Sequence, residues 1–226
     1  MTALVVAAHP DDEVLGCGGT IARHIRRGDH IAVAILAQGG THRAAGKDFH
    51  AHIHGHAHAA AVALGVTDLR WYSVGLAPDN RLDTVPLLQM AQYVENWIRW
   101  THPQVVYTHH HGDCNVDHRR VCEAVLAATR PGATSHRVDE VLLFEVPSST
   151  EWSFGQLGST FRPSVFMDIS DTLDLKLAAM ACYQTEARAF PHPRSPEALT
   201  ALARWRGATV GLQAAEAFDV ARIVRY

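Results

Sequence analysis

Apolar residues gather in short unbroken runs along this chain, and the stretches between the runs repeat them at helical spacing. "TALVVAAH" (Thr2 to His9) shows no alternation and is rich in β-branched residues, which predicts a strand buried on both faces. A helix fits residues 14–27 and ends at Gly28. "HIAVAILAQGG" (His30 to Gly40) predicts a second buried strand closed by glycines. A helix over 50–64 stops at Gly65, and "LRWYSVG" (Leu69 to Gly75) predicts a third strand. "TVPLLQMAQYVENWIRWTH" (Thr84 to His102) has the helical period, with Pro103 just past its end. "QVVYTHH" (Gln104 to His110) predicts another strand. "DHRRVCEAVLAATRPG" (Asp117 to Gly132) predicts a helix stopped by Pro131-Gly132. Later strands are predicted at "DEVLLFEV" (Asp139 to Val146) and "SVFMDIS" (Ser164 to Ser170), and helices at 171–188 and 196–206. No internal repeat or low-complexity linker interrupts the series.

Strands alternating with helices imply parallel βαβ units, hence an α/β three-layer sandwich: a mostly parallel sheet with helices on both faces. In such sheets, sites form beyond the carboxyl ends of the strands. Two polar clusters fall at such ends. "HPDDE" (His9 to Glu13) follows the first strand, and "HHHGDCNVDH" (His109 to His118) closes "QVVYT". Taken alone, the acidic triplet equally suits a helix N-cap with favourable dipole contacts. The second cluster changes that balance, because the topology brings it to the same edge.

A cation makes the arrangement tolerable. His9 and Asp12 stand three residues apart across a turn fixed by Pro10, so both side chains can converge on one ion. His118 adds a third ligand from the start of a helix. Two histidines and one carboxylate, with a fourth position left for water, is a catalytic zinc pattern that other transition metals also accept. Asp11 is then free to take a proton from water activated by the ion. Glu13 and Asp117 are placed to orient ligands.

Composition narrows the reading further. The 226 residues fit one domain, 1–226, whose C-terminal part from about 145 forms an extension for substrate-site and oligomer contacts. At 47% hydrophobic the chain can bury a sizeable core, and a net charge of −3 argues against nucleic-acid binding. No apolar run reaches membrane-spanning length. The start shows no basic n-region or cleavage site, so a cytoplasmic protein is expected. Cys17, Cys114, Cys122 and Cys182 lack CxxC spacing and read as free buried thiols. The chain has 16 histidines, five of them in "HAHIHGHAH" (His50 to His58). That cluster suits a solvated helix face, or metal storage without turnover.

"AHPDDE" with the later "DHR" resembles the PIG-L/LmbE-like de-N-acetylases. The resemblance extends through "LGV" (Leu64 to Val66), "DNRLD" (Asp79 to Asp83), "DCNVDHR" and "PHPRSPEAL". It implies a Rossmann-like fold, a zinc ion on His9, Asp12 and His118, and Asp11 as general base. It also implies an N-acetylated amino-sugar or glycoconjugate as substrate. Less directly, it points to Asp79 and Arg194 as substrate-binding residues. His192 is then a late histidine for the oxyanion; if it acted across subunits, a homo-oligomer would be required. Many relatives carry "HPDH" where this chain has "NVDH". Asn115 therefore stands beside the ligands in place of a histidine, and one of His109, His110 or His111 is the expected substitute; alternation puts His109 and His111 on one strand face and His110, taken as the catalytic candidate, on the other. Relatives also tend to have an Arg and a Glu before "LGV", where this chain is His-rich. That departure keeps open a metal-dependent amidase acting on a thiol conjugate or a non-sugar amide.

Overall fold

The computed structural model describes residues 1–37, 47–66, 72–77 and 80–225, the side chains of 47–54 and 72–76 excepted. Seven strands form one sheet: β1 (Thr2–Ala7), β2 (His30–Ala37), β3 (Tyr72–Ala77), β4 (Val105–His109), β5 (Glu140–Phe144), β6 (Val165–Asp168) and β7 (Ala215–Ile223). Their order is β3-β2-β1-β4-β5-β7-β6. The first five run parallel, and β7 lies antiparallel between β5 and β6.

Alternate residues of β1 explain the three layers. Ala3, Val5 and Ala7 face a core shared with α1 (Asp12–Arg26), α2 (Lys47–Ala63) and α5 (Leu173–Cys182). Leu4, Val6 and Ala8 face the core under α3 (Leu87–Thr101) and α4 (Val116–Ala128). The last helix, α6 (Pro196–Ala208), places Leu199 in the first core and packs Ala203 against Ile169 and Ala214. Every residue from Ala3 to Ala8 is fully buried, which is why the run lacks alternation.

The chain winds from β1 outward to β3 and returns to β4 on the other side of β1. The carboxyl ends of β1 and β4 therefore flank the point where strand order reverses, where open α/β sheets leave a crevice.

Three elements depart from the pattern-based expectation. Strand β7 was not anticipated: half of its apolar residues are alanines, a weak strand signal, and its pairing with β5 and β6 is tertiary. The helix expected over 171–188 ends at Cys182 because Tyr183 turns inward, its hydroxyl donating to Glu13 Oε1 at 2.6 Å. Helix α1 begins at Asp12 and is broken at Cys17. Its glycines allow close approach to the sheet: a Cβ on Gly16 would lie 2.3 Å from the Phe144 ring. All four cysteines are free, but only Cys17 and Cys122 are buried; Cys114 and Cys182 are partly exposed.

Candidate active site

The turn after β1 is tight. Asp11 takes a φ of 112°, which L-residues rarely adopt, and its N–H donates to Glu13 Oε2 at 3.0 Å. Asp12 then opens α1, and its Oδ2 accepts from the His9 N–H at 2.8 Å. The second polar segment follows β4. Asn115 caps α4, its side chain accepting from the Asp117 N–H at 2.9 Å, and this fixes the first turn that carries Asp117 and His118.

Three atoms meet between these segments. His9 Nδ1 lies 3.2 Å from Asp12 Oδ2 and 3.2 Å from His118 Nε2, and His118 Nε2 lies 3.2 Å from Asp12 Oδ2. Zinc–ligand bonds of about 2.0 Å in tetrahedral geometry give ligand–ligand edges of about 3.3 Å. The triangle thus has the size of one face of a zinc tetrahedron. Asp12 Oδ1 is buried without a hydrogen-bond partner. Two imidazoles and a carboxylate crowded this closely, with a buried acceptor to spare, fit a divalent transition metal.

The outer nitrogens of both histidines are also fixed. His9 Nε2 lies 3.0 Å from Asp117 Oδ2, whose other oxygen accepts from the Leu82 N–H at 3.0 Å. His118 Nδ1 lies 3.1 Å from Asp113 Oδ2. Asp113 in turn accepts from the hydroxyls of Ser149 and Thr150, the latter at 2.7 Å. Each imidazole can therefore offer one nitrogen to an ion while donating its other N–H to a carboxylate, which sets tautomer and ring plane. Asp113 was missed in the sequence. Its only signal there was an acid five positions before His118, and its partners come from the loop after β5.

Electrostatics separates the two neighbouring acids. Burial pushes the Asp11 carboxyl well above the usual carboxylate range, against the pull of Arg194 and with the push of Asp12. Burial acts on Asp12 in the same sense, but His118 and His9 hold it well below that range. Asp113 is buried too, yet His118 and the Ser149 hydroxyl keep it down at about 2. Burial alone would lower the His118 imidazole; Asp12 and Asp113 outweigh it and raise it to about 9.

The remaining expected residues are placed as follows. His110 does not join the cluster. Its Nδ1 accepts from the Gly112 N–H at 3.1 Å, and its Nε2 faces Asp219 of β7 at 3.5 Å. Strand alternation turns His109 toward the triangle of His9, Asp12 and His118 instead. His109 stacks on His118 with ring centroids 4.0 Å apart, and its Nε2 accepts from the Ala8 N–H at 2.8 Å. Arg194, expected on substrate, is ion-paired to Asp11 Oδ2 at 2.6 Å, with Glu186 at 3.0 Å and Ser148 at 2.7 Å. His192 sits partly exposed beside it, its Nδ1 accepting from the Arg194 N–H at 3.1 Å and its ring edge-on to Trp152. Glu13 holds the Asp11 N–H and the Tyr183 hydroxyl. Asp79 lies outside the described residues, as do the side chains of His50, His52 and His54.

Comparison with known proteins identifies the family. Residues 4–129 match the sequence profile of PIG-L, described as GlcNAc-PI de-N-acetylase. An uncharacterized deacetylase of Escherichia coli K12, YaiS, is 30% identical over 187 residues, covering 78% of this chain and 87% of its own. The conserved protein TT1542 of Thermus thermophilus superposes with a TM-score of 0.77 at 26% identity, covering 99% of this chain and 96% of that one. The N,N'-diacetylchitobiose deacetylase of Pyrococcus horikoshii shares the fold, with a TM-score of 0.74 at 20% identity over 97% of this chain and 83% of its own. The matched residues hold both segments that build the His9–Asp12–His118 triangle, and the chain belongs to the PIG-L family of de-N-acetylases.

Proposed function

We propose that this chain is a zinc-dependent hydrolase that removes the N-acetyl group from an N-acetylated amino-sugar or glycoconjugate. The observation that carries the reading is the triangle of His9 Nδ1, Asp12 Oδ2 and His118 Nε2, with the non-ligating, buried Asp11 immediately beside it in the chain. A site built only to store metal has no use for that extra acid.

A divalent ion held by the triangle would polarise the amide carbonyl and make water a better nucleophile near neutral pH. Asp11 accepts the proton of the attacking water on its carboxylate. Its raised basicity, from burial, suits that task. Arg194 keeps the carboxylate oriented and balances its charge until the proton arrives. Protonated Asp11 then donates to the departing amine. His192, beside Arg194, supplies a donor to the developing oxyanion. Asp117 and Asp113 hold the two ligand imidazoles in register throughout.

The test is acetate release. With zinc supplied, the protein should liberate acetate from N-acetylglucosamine conjugates and leave non-sugar N-acyl amides untouched. Turnover of the amides alone would favour the amidase reading, and turnover of neither would refute hydrolysis.

Metal and proton compete for His118. With its imidazole at about 9, binding at neutral pH must displace a proton. The apparent zinc affinity should therefore rise by about tenfold per pH unit from pH 6 to 8 and level off above 9. Calorimetry in buffers of different ionisation enthalpy should show roughly one proton released per ion at pH 7. An affinity flat across this range would contradict the assignment of His118.

A further inference from the structure

Cys17, with φ −148° and ψ 25°, breaks α1 into two pieces. Unbroken helical pairing would join the Gly19 N–H to the Leu15 carbonyl and the Thr20 N–H to the Gly16 carbonyl. Here one carboxylate collects both N–H groups: Glu216 Oε1 accepts from Gly19 at 3.0 Å and Oε2 from Thr20 at 2.7 Å. On the other side of the break, the Leu15 carbonyl accepts from Lys176 Nζ at 2.8 Å. Lys176 and Glu216 meet each other at 2.6 Å, both 5% exposed. An ion pair is thus inserted into the helix ladder, the kind of intrusion that kinks helices. Its signs match the ends it meets, with the anion at the Gly19 and Thr20 N–H groups and the cation at the Leu15 carbonyl.

A buried ion pair is a weak argument for stability, because well-packed apolar residues often do as well. Its location gives it another role. The first piece of α1 carries Asp12 and Glu13, and its direction decides where Asp12 Oδ2 points. Lys176 comes from α5 and Glu216 from β7, both beyond residue 129, where the family match ends. Two further contacts from the same C-terminal region fasten this turn: Tyr183 on Glu13 and Arg194 on Asp11.

We propose that Lys176 and Glu216 are positioning residues for the metal site. Together they set the angle of the first turn of α1, and so hold Asp12 Oδ2 within ligand distance of His9 and His118. This rests on the metal-site reading above.

The test uses the full chain and Co²⁺, whose visible spectrum reports ligand geometry. Lys176→Met should weaken Co²⁺ binding by about 10- to 100-fold and shift the visible bands. Ile31→Val, a core truncation at the far end of β2, should lower Tm and leave affinity and spectrum unchanged. Lys176→Met that folds and binds Co²⁺ with wild-type affinity and spectrum would overturn the inference while leaving the metal-site reading intact. A wild-type protein that takes up no Co²⁺ would overturn both. If Lys176→Met does not fold, Glu216→Gln decides by the same two readouts, since it keeps an oxygen for one N–H but lacks the charge that faces Lys176.

Discussion

Asp11→Asn should lower kcat/KM for deacetylation by about 10²- to 10⁴-fold, the usual worth of a positioned proton acceptor. The substitution preserves shape and tolerates unusual backbone angles better than most, which matters at a φ of 112°. It also retains an oxygen for the Arg194 guanidinium now bonded to Asp11. What it removes is the basic carboxylate. Metal content, measured by atomic emission on the purified variant, should remain at one equivalent, because Asp11 offers no atom to the ligand triangle. Loss of metal along with activity would make Asp11 a ligand and leave the reaction without its base. Near-normal turnover would remove Asp11 from the chemistry altogether.

His118→Ala should abolish turnover by a different route, by losing the ion. One corner of the triangle disappears, and the two acids that its imidazole faces, Asp12 and Asp113, are left without it. The affinity loss should exceed that of Asp113→Asn, which only disturbs the outer partner and should cost about 10- to 100-fold. Titration of each purified variant with zinc against a chromophoric chelator separates the cases. Equal losses would contradict the assignment of His118 as a direct ligand.

How far the sequence could be read depended on how local each signal was. The run Ala3 to Ala8 and the turn at His9 to Asp12 are continuous in the chain, so strand, turn and two candidate ligands were legible together. His118 was legible because alternating strands and helices force "QVVYT" to the same sheet edge as "ALVVAA". The parts that escaped are tertiary. Asp113 matters only because the loop after β5 brings Ser149 and Thr150 against it. The break at Cys17 is visible only once Lys176 and Glu216 arrive from elements far along the chain. Alternation put His110 on the opposite strand face from His109 and His111 but could not say which face looks toward His9 and His118. In the structure His109 stacks on His118, while His110 faces Asp219 of β7. Arg194 was expected on substrate from its motif, and its partner Asp11 could not be foreseen across 183 positions.

Crystals grown with zinc and measured at the zinc absorption edge offer the most direct test. The anomalous map should show a single strong peak about 2.0–2.2 Å from His9 Nδ1, Asp12 Oδ2 and His118 Nε2. A peak held instead by the histidines of His50 to His58, with none between His9 and His118, would contradict the metal centre proposed for this chain.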